Sequence, residues 1–254
     1  MKQFDFSNLK KGKKIVMLTA YDCQIAKILE TAGIDFILVG DSLGMVVLGR
    51  KDTKTVSMQE MLHHTRAVAT GAINTPIISD LPANSYNTVE DAVQNAKLFL
   101  EAGASAVKLE GNKPEIIRSL VSAKIPVVGH LGLLPQTAEK YSVQGTGDNA
   151  ESILQDSLEL DSLGVIAIVL ECIPASLAKK VTESVSCPTI GIGAGVHCDG
   201  QVLVVNDLIG LNPDFKPKFV KRYGDLASEI KKAAKLFKED VLNNRFPDSK
   251  HSFQ

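Results

Sequence analysis

Eight short apolar runs, most of them separated by a longer amphipathic stretch, leave this chain few ways to fold. The runs are KIVMLTA, DFILVG, PIISD, AVKLEG, PVVGHLG, VIAIVLE, PTIGIGAG and QVLVVND. Between them DCQIAKILETAG, SMQEMLHHTRAVATGA, TVEDAVQNAKLFLEAGA, KPEIIRSLVSAK, NAESILQDSLELDSLG and PASLAKKVTESV repeat apolar residues at spacings of three and four, which predicts helices with one buried face. Gly33, Gly71, Gly103 and Gly164 close helical patterns as the residue after a helix commonly does. Ser57 and Thr88 are expected N-caps, each with Glu or Gln close behind. Strands alternating with helices imply parallel strands joined by right-handed crossovers. Eight such units with no linker rich in Pro, Gly or Ser predict an α/β fold, a closed (β/α)8 or TIM barrel, as one domain over residues 1–254. The seventh unit is degenerate, because too few residues separate the last two runs for a helix. The terminal stretch DLASEIKKAAKLFKEDVLNNRF predicts a long helix whose Lys-rich side is a solvated face.

The balance of the chain narrows its partners. Lys and Arg total 28 against 29 Asp and Glu, so no excess charge points to nucleic acid or to a membrane surface. Trp is absent and aromatics make up 5%, which argues weakly against a base-stacking surface. The four cysteines form no C-x-x-C pair and no metal-type spacing, consistent with a reducing cytoplasmic compartment. The N-terminal MKQFDFSNLKKGKK has no apolar leader segment, and no run approaches the roughly 18 apolar residues of a membrane span.

The chemistry gathers at the strand ends. The second to sixth strands finish at Asp41, Asp80, Glu110, His130 and Glu171. In a parallel barrel these ends meet on the one face where barrel enzymes keep their active sites. A single strand-end carboxylate serves equally well as a helix cap, but five ionisable ends together are harder to assign to capping. Lys108 and Glu110 lie two apart in AVKLEG and point the same way, either both into the barrel or both toward the helices. Asp41, Asp80 and Glu110 offer oxygen ligands alone, which suits a hard cation such as Mg²⁺; zinc would want His or Cys, and only His130 is at hand. A cation there would hold a 2-oxo acid and stabilise an enolate beside its ketone. Lys108 and Ser42 would add contacts to the acid, and Glu171 is the candidate base for a C–H proton. These residue types suit aldol-type, lyase and mutase reactions equally.

Other features carry blander readings. GIGAG (Gly191 to Gly195) follows the seventh strand and fits a phosphate-holding turn or, slightly favoured, tight turns where the mouth is crowded. Cys172, next to Glu171, is expected to face away from the mouth and pack. His63 and His64 are expected on a helix surface or in a cap contact. VQGTGD (Val143 to Asp148) lies in a long polar segment of the kind that often forms a lid.

Several longer segments together resemble one family. They are MLTAYD, VGDSLGMVVLG, HTRAVA, SDLP with SY following, AVKLEG, GHLGLLPQ, VQGTGD, LECIP and IGIGAG with DGQVLV, in this order over nearly the whole chain. The sequence is similar to the 3-methyl-2-oxobutanoate (ketopantoate) hydroxymethyltransferases. The resemblance implies a barrel of the phosphoenolpyruvate/pyruvate type. It implies transfer of a hydroxymethyl group from 5,10-methylenetetrahydrofolate, as co-substrate, to 3-methyl-2-oxobutanoate through a Mg²⁺-stabilised enolate. The product is 2-dehydropantoate, on the way to pantothenate and coenzyme A. The family's Mg²⁺ ligands fall on Asp41, Asp80 and Glu110, its keto-acid contacts on Asp41, Ser42, Asp80 and Lys108, its proton acceptor on Glu171, and its site-lining histidine on His130. It also implies a large ring-like homo-oligomer, commonly a decamer. This chain departs from the family in three places. The segment TAEKYS between LPQ and VQG is a few residues short, Thr146 stands where Arg is usual, and Ala83-Asn84 replaces Phe-Gly.

Two other functions share parts of this pattern. A Mg²⁺-dependent C–C lyase or mutase of the same barrel type would use the same enolate with a different second substrate. A non-catalytic barrel that binds a ligand or serves as an assembly subunit has no need of the full set of carboxylates, Lys108 and His130.

Overall fold

The computed structural model describes residues 12–147 and 149–253. The expectations that fall on the first eleven residues and on Asp148 lie outside the described residues. Two compact units result, the first ending at Val204 and the second beginning at Val205.

The first unit is a closed, all-parallel barrel of eight strands in chain order. Its strands are β1 (Ile15–Thr19), β2 (Phe36–Val39), β3 (Ile77–Asp80), β4 (Ala106–Glu110), β5 (Val127–Gly132), β6 (Ala167–Glu171), β7 (Thr189–Ile192) and β8 (Gly200–Leu203). The helices are α1 (Cys23–Thr31), the one-turn α2 (Leu43–Val46), α3 (Met58–Gly71), α4 (Val89–Glu101), α5 (Pro114–Ser122), α6 (Asn149–Ser162) and α7 (Ala175–Ser184). As expected, β7 and β8 are joined without a helix.

Alternation along each strand sorts its side chains between two environments. Outward residues meet the helices: a Cβ on Gly129 would lie 2.7 Å from Leu160 of α6, and Ser79 bonds Thr65 of α3 at 2.9 Å. Inward residues build an apolar floor from Ile15, Met17, Phe36, Ile78, Val128 and Ile190, with Ala106, Ala167 and Val169 in the same cluster. Full burial of a large apolar side chain contributes about 1.5–3 kcal/mol. Ala106 faces this interior, so Lys108 and Glu110 face it too, which resolves the two orientations the sequence allowed.

Caps fall where expected. Ser57 and Glu60 form a reciprocal capping box on α3, and Thr88 accepts the Asp91 amide at the start of α4. Gly33, Gly103 and Gly164 follow their helices with positive φ. Gly71 differs: it is the last residue of α3, and a Cβ there would fall 2.1 Å from the Cys23 carbonyl, so close approach of α1 explains it rather than a cap. The run QVLVVND is also shorter as a strand than expected. After β8 the chain turns into the one-turn helix α8 (Val205–Leu208), which opens the second unit.

That unit continues to α9 (Leu226–Leu242), capped by Asp225. None of the α9 residues is buried, so its apolar residues Ile230, Phe237 and Val241 are exposed along with its lysines. Among the described residues no helix is long and apolar enough to cross a membrane, and all four cysteines are free thiols.

Candidate functional site

Four residues expected at the strand ends, Asp41, Asp80, Glu110 and His130, and Lys108 within β4, are each no more than 5% exposed. Asp80, Lys108, Glu110 and His130 reach one interior space because each continues the inward row of its strand, whereas Asp41 joins from the turn after β2, where its amide bonds Asp80. Asp80 lies two residues beyond Ile78, His130 two beyond Val128, and Lys108 and Glu110 two and four beyond Ala106.

Their contacts run across neighbouring strands. Lys108 Nζ lies 3.0 Å from Asp80 Oδ1 and 3.4 Å from His130 Nδ1. His130 Nδ1 lies 3.5 Å from Glu110 Oε1, and Nε2 lies 3.1 Å from Glu171 Oε2. Glu171 is the most open member of this chain, with 18% of its side chain exposed. Gly132, at the end of β5, has φ +96, and a Cβ there would fall 2.2 Å from the Glu171 carbonyl; glycine lets β5 pass beside the base candidate. On the other side, the Asp41 amide donates to Asp80 Oδ2 at 3.1 Å. Ser42 is beside Asp41, with its hydroxyl 2.8 Å from that of Tyr21. A Cβ on Gly40 would lie 2.8 Å from the Ser42 oxygen, so the glycine leaves room for that hydroxyl.

Burial and charge oppose one another throughout the cluster. Desolvation pushes Asp41 up, and the charge of Asp80 pushes it further. Desolvation also raises Asp80, against the opposing pull of Lys108. Burial alone would lower Lys108, but Asp80, Glu110 and Asp41 outweigh it and hold the ammonium above the ordinary lysine range. Burial and Lys108 both pull His130 down, yet its contacts with Glu110 and Glu171 carry the imidazole to about 9.

These values bear on a cation. Three buried carboxylates face a single buried lysine and one histidine, and desolvation is the leading cause of the upward shifts of Asp41 and Asp80. Asp80 Oδ1 takes no hydrogen bond although it is buried; Lys108 meets it only as a charge. An oxygen-only, electron-hard donor set with surplus negative charge fits a divalent ion such as Mg²⁺. Among the described residues, no three His, Cys, Asp or Glu groups already converge around one point. The carboxylates are instead held by protein groups, the Lys108 charge together with hydrogen bonds from Gln136 and the Asp41 amide.

Two of the residues in this network had no individual role in the sequence reading. Gln136, in the segment after β5, and Tyr86, in the segment after β3, are both buried at the mouth and bonded to each other. Each stood inside a segment singled out by resemblance, but a polar residue after a proline or a serine carries no signal of burial.

The blander readings resolve as follows. Cys172 is not packed in the core; it is half-buried just past β6 with φ +49, so strand alternation does not govern it. Burial and the Glu171 charge push its thiol up to about 11. His64 Nδ1 lies 2.6 Å from the Tyr21 carbonyl, while His63 is exposed. In GIGAG, a Cβ on Gly195 would lie 2.4 Å from Ala175 and one on Gly191 3.0 Å from Cys198, so crowding accounts for these glycines. Between β5 and α6, residues 133–147 have no regular secondary structure; Gln136 is tucked into the mouth and Tyr141 is exposed. Asn84 has φ +66, a left-handed conformation that Asn tolerates.

With the geometry in place, comparison with known proteins points one way. The family model described as ketopantoate hydroxymethyltransferase matches residues 2–249. The 3-methyl-2-oxobutanoate hydroxymethyltransferase of Syntrophus aciditrophicus is 52% identical over 252 residues, covering 96% of this chain and 93% of its own. The protein of that name from Carboxydothermus hydrogenoformans is 50% identical over 265 residues, covering 100% and 96%. Among solved structures, 2,3-dimethylmalate lyase, a member of the PEP mutase/isocitrate lyase superfamily, superposes with a TM-score of 0.66 at 14% identity, covering 97% of this chain and 87% of that one. Phosphonopyruvate hydrolase in complex with oxalate and Mg²⁺ gives 0.65 at 14% identity, covering 97% and 91%. At such identities these two structures speak for the barrel fold alone.

Proposed function

The chain belongs to the ketopantoate hydroxymethyltransferase family, and from that premise we propose that it transfers a hydroxymethyl group from 5,10-methylenetetrahydrofolate to 3-methyl-2-oxobutanoate, forming 2-dehydropantoate. The observation that carries this reading is the buried cluster itself: ionisable side chains from β3 to β6 are in mutual contact, and Asp41 joins them from the turn after β2. Asp41, Asp80 and Glu110 are the residues that would hold Mg²⁺. When bound, the ion would supply Lewis-acid polarisation of the keto acid.

The chain's own residues divide the remaining work. Lys108, held charged by three carboxylates, is the cation that faces the substrate anion. Ser42 contributes a hydroxyl oriented by Tyr21. Glu171, the member of the charged chain most open to the mouth, takes the C3 proton of the keto acid. His130 orients that carboxylate from 3.1 Å. The C3 electron pair forms the new bond to the methylene carbon, whose two C–N bonds to the folate break; water supplies the hydroxyl oxygen, and one proton from C3 and one from water end on the nitrogens of the departing tetrahydrofolate.

The test is direct. Purified protein supplied with methylenetetrahydrofolate, 3-methyl-2-oxobutanoate and Mg²⁺ is expected to form 2-dehydropantoate; a lyase or mutase of the same barrel would not. Glu171→Gln is expected to stop exchange of the C3 proton with solvent deuterium while the keto acid still binds. Retained exchange would assign the base elsewhere.

A further inference from the structure

Every polar atom of the Gln136 side chain is engaged. Nε2 donates to Asp41 Oδ2 at 2.8 Å and to the Leu81 carbonyl at 2.9 Å, and Oε1 accepts the Tyr86 hydroxyl proton. The Gln136 backbone amide donates to Glu110 Oε2 at 3.0 Å, and the Glu110 amide lies 3.4 Å from the Tyr86 oxygen as its donor. A closed ring results: Glu110 N–H to Tyr86, Tyr86 O–H to Gln136, and Gln136 N–H back to the Glu110 carboxylate. Asp41 hangs from the Gln136 side-chain amide, although it lies 95 residues away in sequence. The amide has one workable orientation, since the Leu81 carbonyl only accepts and the opposite face receives the tyrosine proton. Both residues are buried, so an idle donor here would be costly.

We infer that Tyr86 and Gln136 are a positioning pair, which holds the carboxylates of Asp41 and Glu110, two of the proposed ligands of a divalent ion, on one hydrogen-bonded frame. This deepens the proposed function and rests on it. Tyr86 acts through Gln136: its hydroxyl stops the amide from turning its oxygen toward Asp41, where an acceptor facing a carboxylate would repel it. The pair also ties the segments after β3 and β5 to the ends of β2 and β4, so four strand ends share one hydrogen-bonded frame.

Manganese(II) serves as the probe, with free ion counted by electron paramagnetic resonance at a fixed concentration of 3-methyl-2-oxobutanoate and no folate present. Gln136→Met, close to glutamine in shape but unable to hydrogen-bond, is expected to weaken Mn²⁺ binding by about tenfold or more, the usual consequence of losing a group that orients metal ligands. Tyr86→Phe removes one oxygen and is expected to weaken it by a smaller factor, with thermal stability nearly unchanged. The double variant is expected to bind no more weakly than Gln136→Met alone, because the tyrosine has nothing left to act through. Mn²⁺ affinity in either single variant within about twofold of the unmodified protein, or additive losses in the double variant, would overturn the pairing. So would a loss that merely follows the unfolded fraction. If the unmodified protein itself fails to bind Mn²⁺, the metal reading of the proposed function falls, and the pair's role falls with it.

Discussion

In β3 the inward row reads Ile78 and then Asp80; in β5 it reads Val128 and then His130; in β4 it passes from Ala106 to Lys108 and Glu110. The floor and the mouth of the barrel are thus built from the same strands, one step apart, and differ in what holds them. Floor residues gain from removal of apolar surface from water, a nondirectional and nearly additive effect. Mouth residues are just as buried, but each depends on a named partner: Lys108 on Asp80, His130 on Glu110 and Glu171, Asp41 on Gln136. Losing a floor side chain leaves a cavity, whereas losing a mouth side chain leaves a charge alone.

The largest expected effect is at Asp80. Asp80→Ala strips Lys108 of its nearest counter-ion and is expected to abolish C3 proton exchange while costing about 3–5 kcal/mol of stability. Asp80→Leu combined with Lys108→Met is expected to be equally inactive yet to recover part of that stability, because the closest ion pair is removed as a unit. Urea melts of the two variants check this, and equal instability would mean that the pair is more than a mutual compensation. At the floor, Phe36→Ala is expected to cost about 3–5 kcal/mol as well, but with turnover per folded molecule unchanged. Loss of turnover comparable to that of Asp80→Ala would break the division between floor and mouth.

A smaller effect is chemical. With its thiol pushed up to about 11, Cys172 is expected to react slowly with iodoacetamide at neutral pH. Its rate should climb about tenfold per pH unit until that value is reached. Glu171→Gln removes the neighbouring charge and is expected to speed labelling at fixed pH, read by peptide mass spectrometry. The smallest effect separates exposed polar groups from the buried ones. Ser57→Ala breaks the capping box of α3 and is expected to cost about 1 kcal/mol, with no change in proton exchange. Its partner Glu60 is held near 2 by Arg50 and by the Ser57 amide. That folded value lies below the ordinary one of 4.5, so the stabilisation is complete above about pH 4.5 and fades as the pH falls toward 2. Melts at pH 7 and pH 3 in Ser57→Ala and the unmodified protein measure it.

The contrast also explains which parts of the site were legible. Asp41, Asp80, Glu110, His130 and Glu171 announced themselves because an ionisable residue at the end of an apolar run is conspicuous in one dimension. Ser57 and Thr88 did so because capping is local chemistry within three residues. Tyr86 and Gln136 stood in ordinary polar loops, and their burial depends on contacts 50 residues or more away, such as the bond between them. Gly71 looked like a helix terminator but answers to α1 packing against it. Cys172 was read as a strand residue and lies past the strand in a left-handed turn.

What the sequence determined by itself was the architecture and the inventory. Strand and helix periodicities are local, and eight of one alternating with the other admit a closed parallel barrel whose strand ends share a face. The segments it shares with the family carry the expected reaction. What only the tertiary structure decided was orientation and partnership: that Lys108 and Glu110 face inward, that His130 stands between two glutamates, and that one residue, Gln136, serves two carboxylates distant in sequence, Glu110 through its backbone amide and Asp41 through its side chain. Hydrogen bonds and charge contacts act over about 3 Å, and no local pattern records which residues barrel closure will bring that near.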